Sequence, residues 1–258
     1  IATTSSGATV TGNLGIGSAS PTYKLNVQGS STETDSSFAS TVPAITLTNN
    51  SATDDTYSAL AFSDTDGGGN WTAAMVGKTV GQSANMGEIQ FWTRNSSSFT
   101  KKMSISNNGY VTMPLQPAFQ VRKSSSATQS NLGTSGATTV TWDTSVFDQN
   151  SDFNLTDNDF DAPVTGKYLL SAYIYLIDPD TAADYIYIQF VTSNRTYHRT
   201  YDMGQFAGDM SYWNLSLTVL ADLDAGDTAH VTIGVQGGAA QMDINYDAGT
   251  VFSGYLVA

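Results

Sequence analysis

The chain has no cysteine, two glutamates (Glu33 and Glu88), two histidines (His198 and His230), and ten basic residues against 23 acidic ones. Each shortage excludes something. Without cysteine there is no disulfide framework and no thiolate chemistry, so stability has to come from packing or from association of copies. A formal net charge of -13 has the wrong sign for gripping a phosphate backbone, and nucleic acid is not an expected partner. No apolar run approaches the roughly 20 residues that cross a bilayer as a helix, and nothing near Ile1 resembles a signal peptide. Membrane insertion is not expected. The first residue is Ile1 rather than methionine, which reads as a fragment or a processed chain. Good helix formers are also scarce.

What is abundant is Gly, Ser, Thr, Asn and Asp, the residues of turns, set between short apolar segments. That combination reads as all-β. A length of 258 residues leaves room for more than one domain, and the pattern divides into residues 1–36, 37–113 and 114–258.

In residues 1–36, Ala8-Thr9-Val10-Thr11 and Tyr23-Lys24-Leu25-Asn26-Val27 are short alternating strand patterns around GNLGIGSASP, where Gly12, Gly15 and Gly17 flank Leu14 and Ile16. So few apolar residues cannot close a core in one chain. Three copies wound about an axis could bury them, with glycine permitting close backbone approach. A plain Gly-rich linker is the competing reading, although a linker has no need for the alternating Val10, Leu14, Ile16, Leu25 and Val27. The stretch resembles the GNVGIG-x-x-SP-x-x-KL-x-V element of bacteriophage tail fibres. A polar hinge follows at residues 28–37.

Strand signals return over residues 44–48, 58–62, 72–76, 87–92 and 102–105, with turn clusters at 49–55, 64–70 and 94–98. They make a small intermediate β domain. Its last segment, residues 103–113, resembles the terminal strand pair of the tail-fibre repeat and echoes residues 8–16 as a weak internal repeat. Pro114 and Pro117 then break the chain before a strand at Ala118-Phe119-Gln120-Val121.

The densest pattern lies in residues 141–172. Trp142, Phe153, Phe160 and Tyr168 are bulky anchors separated by Asp/Asn turns, and Gly166 opens the apolar run 168–177, whose two faces are both apolar. A second sheet or a second subunit has to cover each face. Residues 185–190 repeat the pattern, whereas Trp213, Leu215, Leu217 and Val219 alternate with polar neighbours as in a half-buried strand. Together with Asp148, the 223–227 turn and the closing Phe252-Ser253-Gly254-Tyr255-Leu256-Val257, these positions resemble the globular head domain of complement component C1q, kin to tumour necrosis factor. Trp142, Leu170 and Ala172 depart from residues usual in that family. The resemblance implies a jelly-roll β-sandwich head and a homotrimer joined through a Tyr-lined sheet.

Catalytic chemistry is hard to find. Neither histidine lies in a nucleophile or metal-helix context, and His230, alternating with Val231 and Ile233, reads as a solvent-facing strand position. The run Asp148, Asp152, Asp157, Asp159, Asp161 fails the calcium-loop test, because Ala162 stands where that loop needs glycine and no closing glutamate follows. Turn chemistry is its simpler reading. Asp178, Asp180 and Asp184 occupy a loop between two long strands, where three copies could share a cation, so calcium is the one cofactor considered. Arg195, Tyr197, His198, Arg199, Tyr201 and Trp213 combine aromatic platforms with hydrogen-bonding groups suited to a sugar, against the simpler reading as core or interface residues.

The expectation is a non-enzymatic virion tail fibre adhesin acting outside the cell. It would be attached to upstream tail-fibre or baseplate proteins and would recognise a host cell-surface glycan or outer-membrane receptor. A bacterial surface or matrix protein with a similar head, or a polysaccharide depolymerase, are the alternatives.

Overall fold

The computed structural model describes residues 2–4, 7–9, 12–16, 19–27, 45–63, 70–124, 128–134, 136–208, 210–239, 241–246 and 249–258. Val10, Gly17, the polar hinge 28–37, Ala44 and most of the 64–70 turn lie outside the described residues. The chain divides into two compact units, residues 1–112 and 113–258. As the composition implies, it is all-β, with two single-turn 3-10 segments among the described residues.

In the first unit, β1 (Ala2–Thr4) pairs antiparallel with β2 (Gly7–Thr9), and β3 (Leu14–Ile16) pairs parallel with β4 (Leu25–Val27). The Asn13 side chain donates to the Pro21 carbonyl at 2.9 Å and ties the connecting loop together. Then β5 (Thr56–Ser63), β6 (Trp71–Gly81), β7 (Met86–Arg94), β8 (Phe99–Ile105) and β9 (Val111–Thr112) form a five-stranded antiparallel meander. Gly109, at φ 82°, makes the Asn-Gly turn between β8 and β9.

One expected strand does not form: residues 45–48 pair with no strand among the described residues. Ile45 and Leu47 line a groove with Leu60, Met75 and Ile89 on the face of the sheet. Their alternation serves that face instead of extending the ladder at the β5 edge. A single sheet cannot enclose a core. Among the described residues of this unit, Ala74 and Val76 are the buried hydrophobics.

The second unit is a two-sheet sandwich. Its strands are β10 (Ala118–Arg122), β11 (Ala137–Thr139), β12 (Thr144–Asp148), β13 (Phe153–Asn154), β14 (Asp159–Asp161), β15 (Gly166–Ile177), β16 (Ala183–Thr192), β17 (Thr196–Asp202), β18 (Tyr212–Leu223), β19 (Thr228–Gly237), β20 (Asp243–Ile244) and β21 (Val251–Leu256). One sheet runs β12-β10-β21-β15-β18, with β20 also on β15. The other runs β13-β14-β19-β16-β17, with β11 also on β19. We call these the first and second sheets of the head.

Strand alternation builds the interior. From β15, Tyr168, Leu170, Ala172, Ile174 and Leu176 point inward and are fully buried, as are Ile186, Ile188 and Phe190 of β16. Aromatic rings fill one end: Phe119 stacks on Phe160 with centroids 4.7 Å apart and meets Phe252 edge-on at 4.9 Å. Phe153, Phe190 and Trp142 close on Phe252 from other sides. Gly254 is required by this packing, since a Cβ there would sit 2.8 Å from both Leu170 Cδ2 and Phe119 Cε1.

Phe119 touches three other rings of this cluster, so Phe119→Ala is expected to destabilise the head by about 3–5 kcal/mol. Urea denaturation followed by tryptophan fluorescence measures it, and a loss below about 1 kcal/mol would contradict the packing described.

Candidate functional site

β17 is the edge strand of the second sheet, and its inward side leans on β18 of the first. Tyr197, Arg199 and Tyr201 share that side by alternation, and they fasten the open edge of the sandwich. Tyr197 Oη donates to Asp222 at 3.3 Å, and Arg195 pairs with the same carboxylate at 2.8 Å. A backbone N–H, and after it the Arg195 guanidinium, hold the Asp222 carboxyl below its ordinary range. Burial, and then the Asp222 charge against it, push the Tyr197 phenol up. Tyr201 Oη donates to the Ser216 carbonyl at 3.2 Å and accepts from the Ser216 N–H at 3.3 Å. The Arg199 guanidinium lies over the Tyr201 ring at 5.0 Å.

Trp213 meets Phe206 edge-on at 4.9 Å, and its buried Nε1 has no hydrogen-bond partner among the described residues. His198 stands on the other face of β17, opposite Gln189. Of the six residues proposed for a sugar platform, Tyr197, Tyr201 and Trp213 are half-buried and packed on the core. Arg199 and His198 are exposed, on opposite faces of the strand.

The acidic loops are spent on the backbone. Asp180 is buried and accepts from the N–H groups of Ala182 and Ala239, while Asp178 takes a left-handed turn at φ 49° and Asp184 is exposed. Asp148 accepts from the N–H groups of Asp152 and Phe153, and Asn154 from that of Thr156, which is the turn chemistry expected of this run. Among the described residues no group of three His, Asp or Glu side chains is placed to hold a metal ion.

Two further ionisable groups, and Asp152 of the acidic run, are wholly or partly buried. His230 is only half exposed, contrary to a solvent-facing position, because Val191 of β16 lies beside it and Asp159 close by. Burial pushes its imidazole down and Asp159 opposes that. Lys123 is fully buried, donating to Thr141 O at 2.8 Å and Thr141 Oγ1 at 2.9 Å, and burial lowers its pKa. Its spacing of two from Val121 and four from Phe119, the inward residues of β10, is the signal that places it inward. Asp152 has a buried carboxylate oxygen without a hydrogen-bond partner among the described residues. Burial raises its pKa, and Asp148 and Asp161 add to the effect.

The outward face of the first sheet differs from these satisfied surfaces. Leu220, Leu169, Tyr255 and Ala118 stand side by side across β18, β15, β21 and β10. Tyr173, 56% exposed, lies farther along β15, and Tyr212, 60% exposed, packs its ring 5.5 Å from that of Tyr175. Phe147 borders the row, beside Gln120.

A family model, the C1q domain, matches residues 118–257, which is the whole sandwich. The chain belongs to the C1q domain family. Among solved structures it is similar to the globular domain of zebrafish complement 1qA protein, at 18% identity over 55% of this chain and 98% of that one, with a TM-score of 0.40. It is similar also to murine APRIL, crystallised at pH 5.0, at 16% identity over 55% of this chain and 99% of that one, with a TM-score of 0.40. A search among curated proteins returned no match. In this C1q domain each anchor noticed in the sequence has a physical duty. Trp142, Phe153, Phe160 and Tyr168 are core, and Asp148 caps a turn. A Cβ on Gly166 would sit 2.6 Å from the Ala258 carbonyl oxygen.

Asp152 gives a pH prediction. Its folded-state pKa lies above its ordinary value of 3.8, so the ionised form opposes folding. That penalty is absent below the unfolded pKa and complete above the folded one. Asp152→Asn should therefore melt higher than the wild type at pH 7, with the gap closing as pH falls toward 3.8. Calorimetry across pH checks this, and a gap independent of pH would contradict it.

Proposed function

We propose that this chain is the distal part of a homotrimeric bacteriophage tail fibre whose C1q domain attaches the virion to a glycan on the host surface. The supporting observation is the apolar outward face of the first sheet. A soluble single chain seldom leaves a row of Leu220, Leu169 and Tyr255 with Tyr173 and Tyr212 beside it open to water. Closing three identical copies about an axis buries such a face with no free edge. The Gly-rich β3–β4 segment, similar to tail-fibre stalks, favours the fibre reading over a free-standing head.

Attachment is binding without chemistry. Three identical heads turn weak individual contacts into firm adhesion through avidity. The exposed Arg199 and His198 on β17 supply hydrogen bonds at the rim of each head. Placing the chain in a virion also places it outside cells, where interlocked copies substitute for the missing disulfides. With Asp180 committed to backbone N–H groups, a cation shared between three copies would fall to the exposed Asp178 and Asp184, and would raise trimer stability on calcium addition.

Sedimentation of the purified chain at micromolar concentration should give the mass of three copies. Tyr173→Asp should return a folded single chain, and its attachment to host cells should fall by roughly 100-fold with the loss of avidity. Arg199→Ala should keep the trimer and weaken attachment by about tenfold. A well-folded wild-type single chain at that concentration would remove the fibre reading.

A further inference from the structure

The β5–β9 sheet has two unlike faces. On one, Leu60, Phe62, Met75 and Ile89 are about half exposed beside Ile45 and Leu47. The other holds a groove of ≈ 360 Å³ walled by Tyr57, Trp71, Trp92 and Phe99 and floored by Ala59 and Val76. That size falls within the range of about 300–1,000 Å³ usual for small-ligand sites. The rings are ordered against one another: Trp92 stacks on Phe99 at 5.5 Å, and Trp71 meets Phe99 edge-on at 6.3 Å.

A chain of polar groups runs alongside the rings. Trp92 Nε1 donates to Gln90 Oε1 at 2.7 Å, Gln90 Nε2 donates to Glu88 Oε1 at 3.1 Å, and Lys101 Nζ reaches Glu88 at 3.4 Å. A cation stands toward each end. Lys78 lies 6.0 Å from the Tyr57 ring and is paired with Asp55 at 2.6 Å. Arg94 lies 5.4 Å from the Phe99 ring, donates Nε to the Trp71 carbonyl at 2.8 Å, and forms no ion pair among the described residues.

We infer that this groove is a second binding site, for a saccharide bearing a carboxylate. Sugar rings present flat C–H faces that stack on indole and phenol, and the partly exposed Glu88 carboxylate beside the rings accepts from their hydroxyls, held in place by the buried Gln90. The unpaired Arg94 beside the stacking rings supplies the charge-assisted contact for the acid group. Charge distribution agrees. Four of the ten basic residues, Lys78, Arg94, Lys101 and Lys102, lie on this sheet, whereas residues 113–258 carry sixteen acidic residues against five basic and repel an anion. Glu88 alongside the rings disfavours a polyphosphate backbone. A second copy of the chain finds its apolar counterpart on the opposite face. The inference rests on the adhesin reading only in expecting a bacterial polysaccharide as the natural source.

The experiment uses the full chain, titrated with an oligogalacturonate and with a neutral malto-oligosaccharide of equal length while tryptophan fluorescence is followed. The acidic sugar should give a saturable change that weakens with salt. Trp71→Ala should abolish it, and Arg94→Gln should weaken it about tenfold, with both variants keeping the wild-type mass and melting temperature. Equal binding of the neutral sugar, no response at millimolar acidic sugar, or unchanged affinity in both variants would overturn the proposal. So would protection of Trp71 from iodide quenching in the wild type, which would mean that another copy covers the groove. The head is tested separately by cell attachment of Arg199→Ala, so either site can fail alone.

Discussion

A β-sheet has two faces, and in water each needs a cover whenever its residues are apolar on both. That constraint organises this chain. In the head, β15 is apolar on both sides, and the second sheet covers only one of them: Leu170, Ile174 and Leu176 are sealed while Leu169, Tyr173 and Ile177 are not. Among the described residues of its unit the β5–β9 meander has no second sheet packed on it, and it buries only Ala74 and Val76 of its apolar residues. At roughly 25 cal/mol per Å² of apolar surface, such a sheet gains too little from folding alone to offset the ordering of its residues.

Much of the head was legible because its signals are local and physical. Alternation located β18, unbroken apolar runs located β15 and β16, the closing residues located β21 by their resemblance to the C1q head, and the aromatic anchors between Asp/Asn turns proved to belong to the ring cluster around Phe252. What alternation cannot tell is whether a strand pairs at an edge or crosses a face. Residues 45–48 alternate like a strand, yet Ile45 and Leu47 lie over the face carrying Leu60 and Met75. His230 was misplaced for a related reason. A position pointing outward from the sandwich is half covered by neighbours from β16 and β14 on its own sheet.

The six side chains of the suggested sugar platform show how one composition serves two duties. Tyr, Trp and Arg near glycine suit a sugar, but they suit the edge of a sandwich equally well. Here Tyr197 and Tyr201 reach across to Asp222 and Ser216 and join the two sheets at their open edge. Asp222, the residue on which Arg195 and Tyr197 converge, had no signal in the sequence because an aspartate is ordinary in a chain with so many. The groove on the β5–β9 sheet escaped notice for the opposite reason. Its Tyr57, Trp71, Trp92 and Phe99 come from four different strands and are neighbours only once the register is set.

Absence of cysteine then ties the two units to one energetic scheme. A disulfide stabilises each chain regardless of its concentration, whereas association stabilises the folded state by mass action and releases it on dilution. On the trimeric reading the head is the part able to fold first, since its closed sandwich already buries a complete aromatic core within one chain. Its outward face then raises the local concentration of the three upstream segments to that of tethered neighbours. The loosely covered β5–β9 sheet and the thin β3–β4 segment, which lack cores of their own, need that proximity. On that reading the order of assembly follows from which apolar faces each unit can cover for itself, with the head first and the weaker sheets after it.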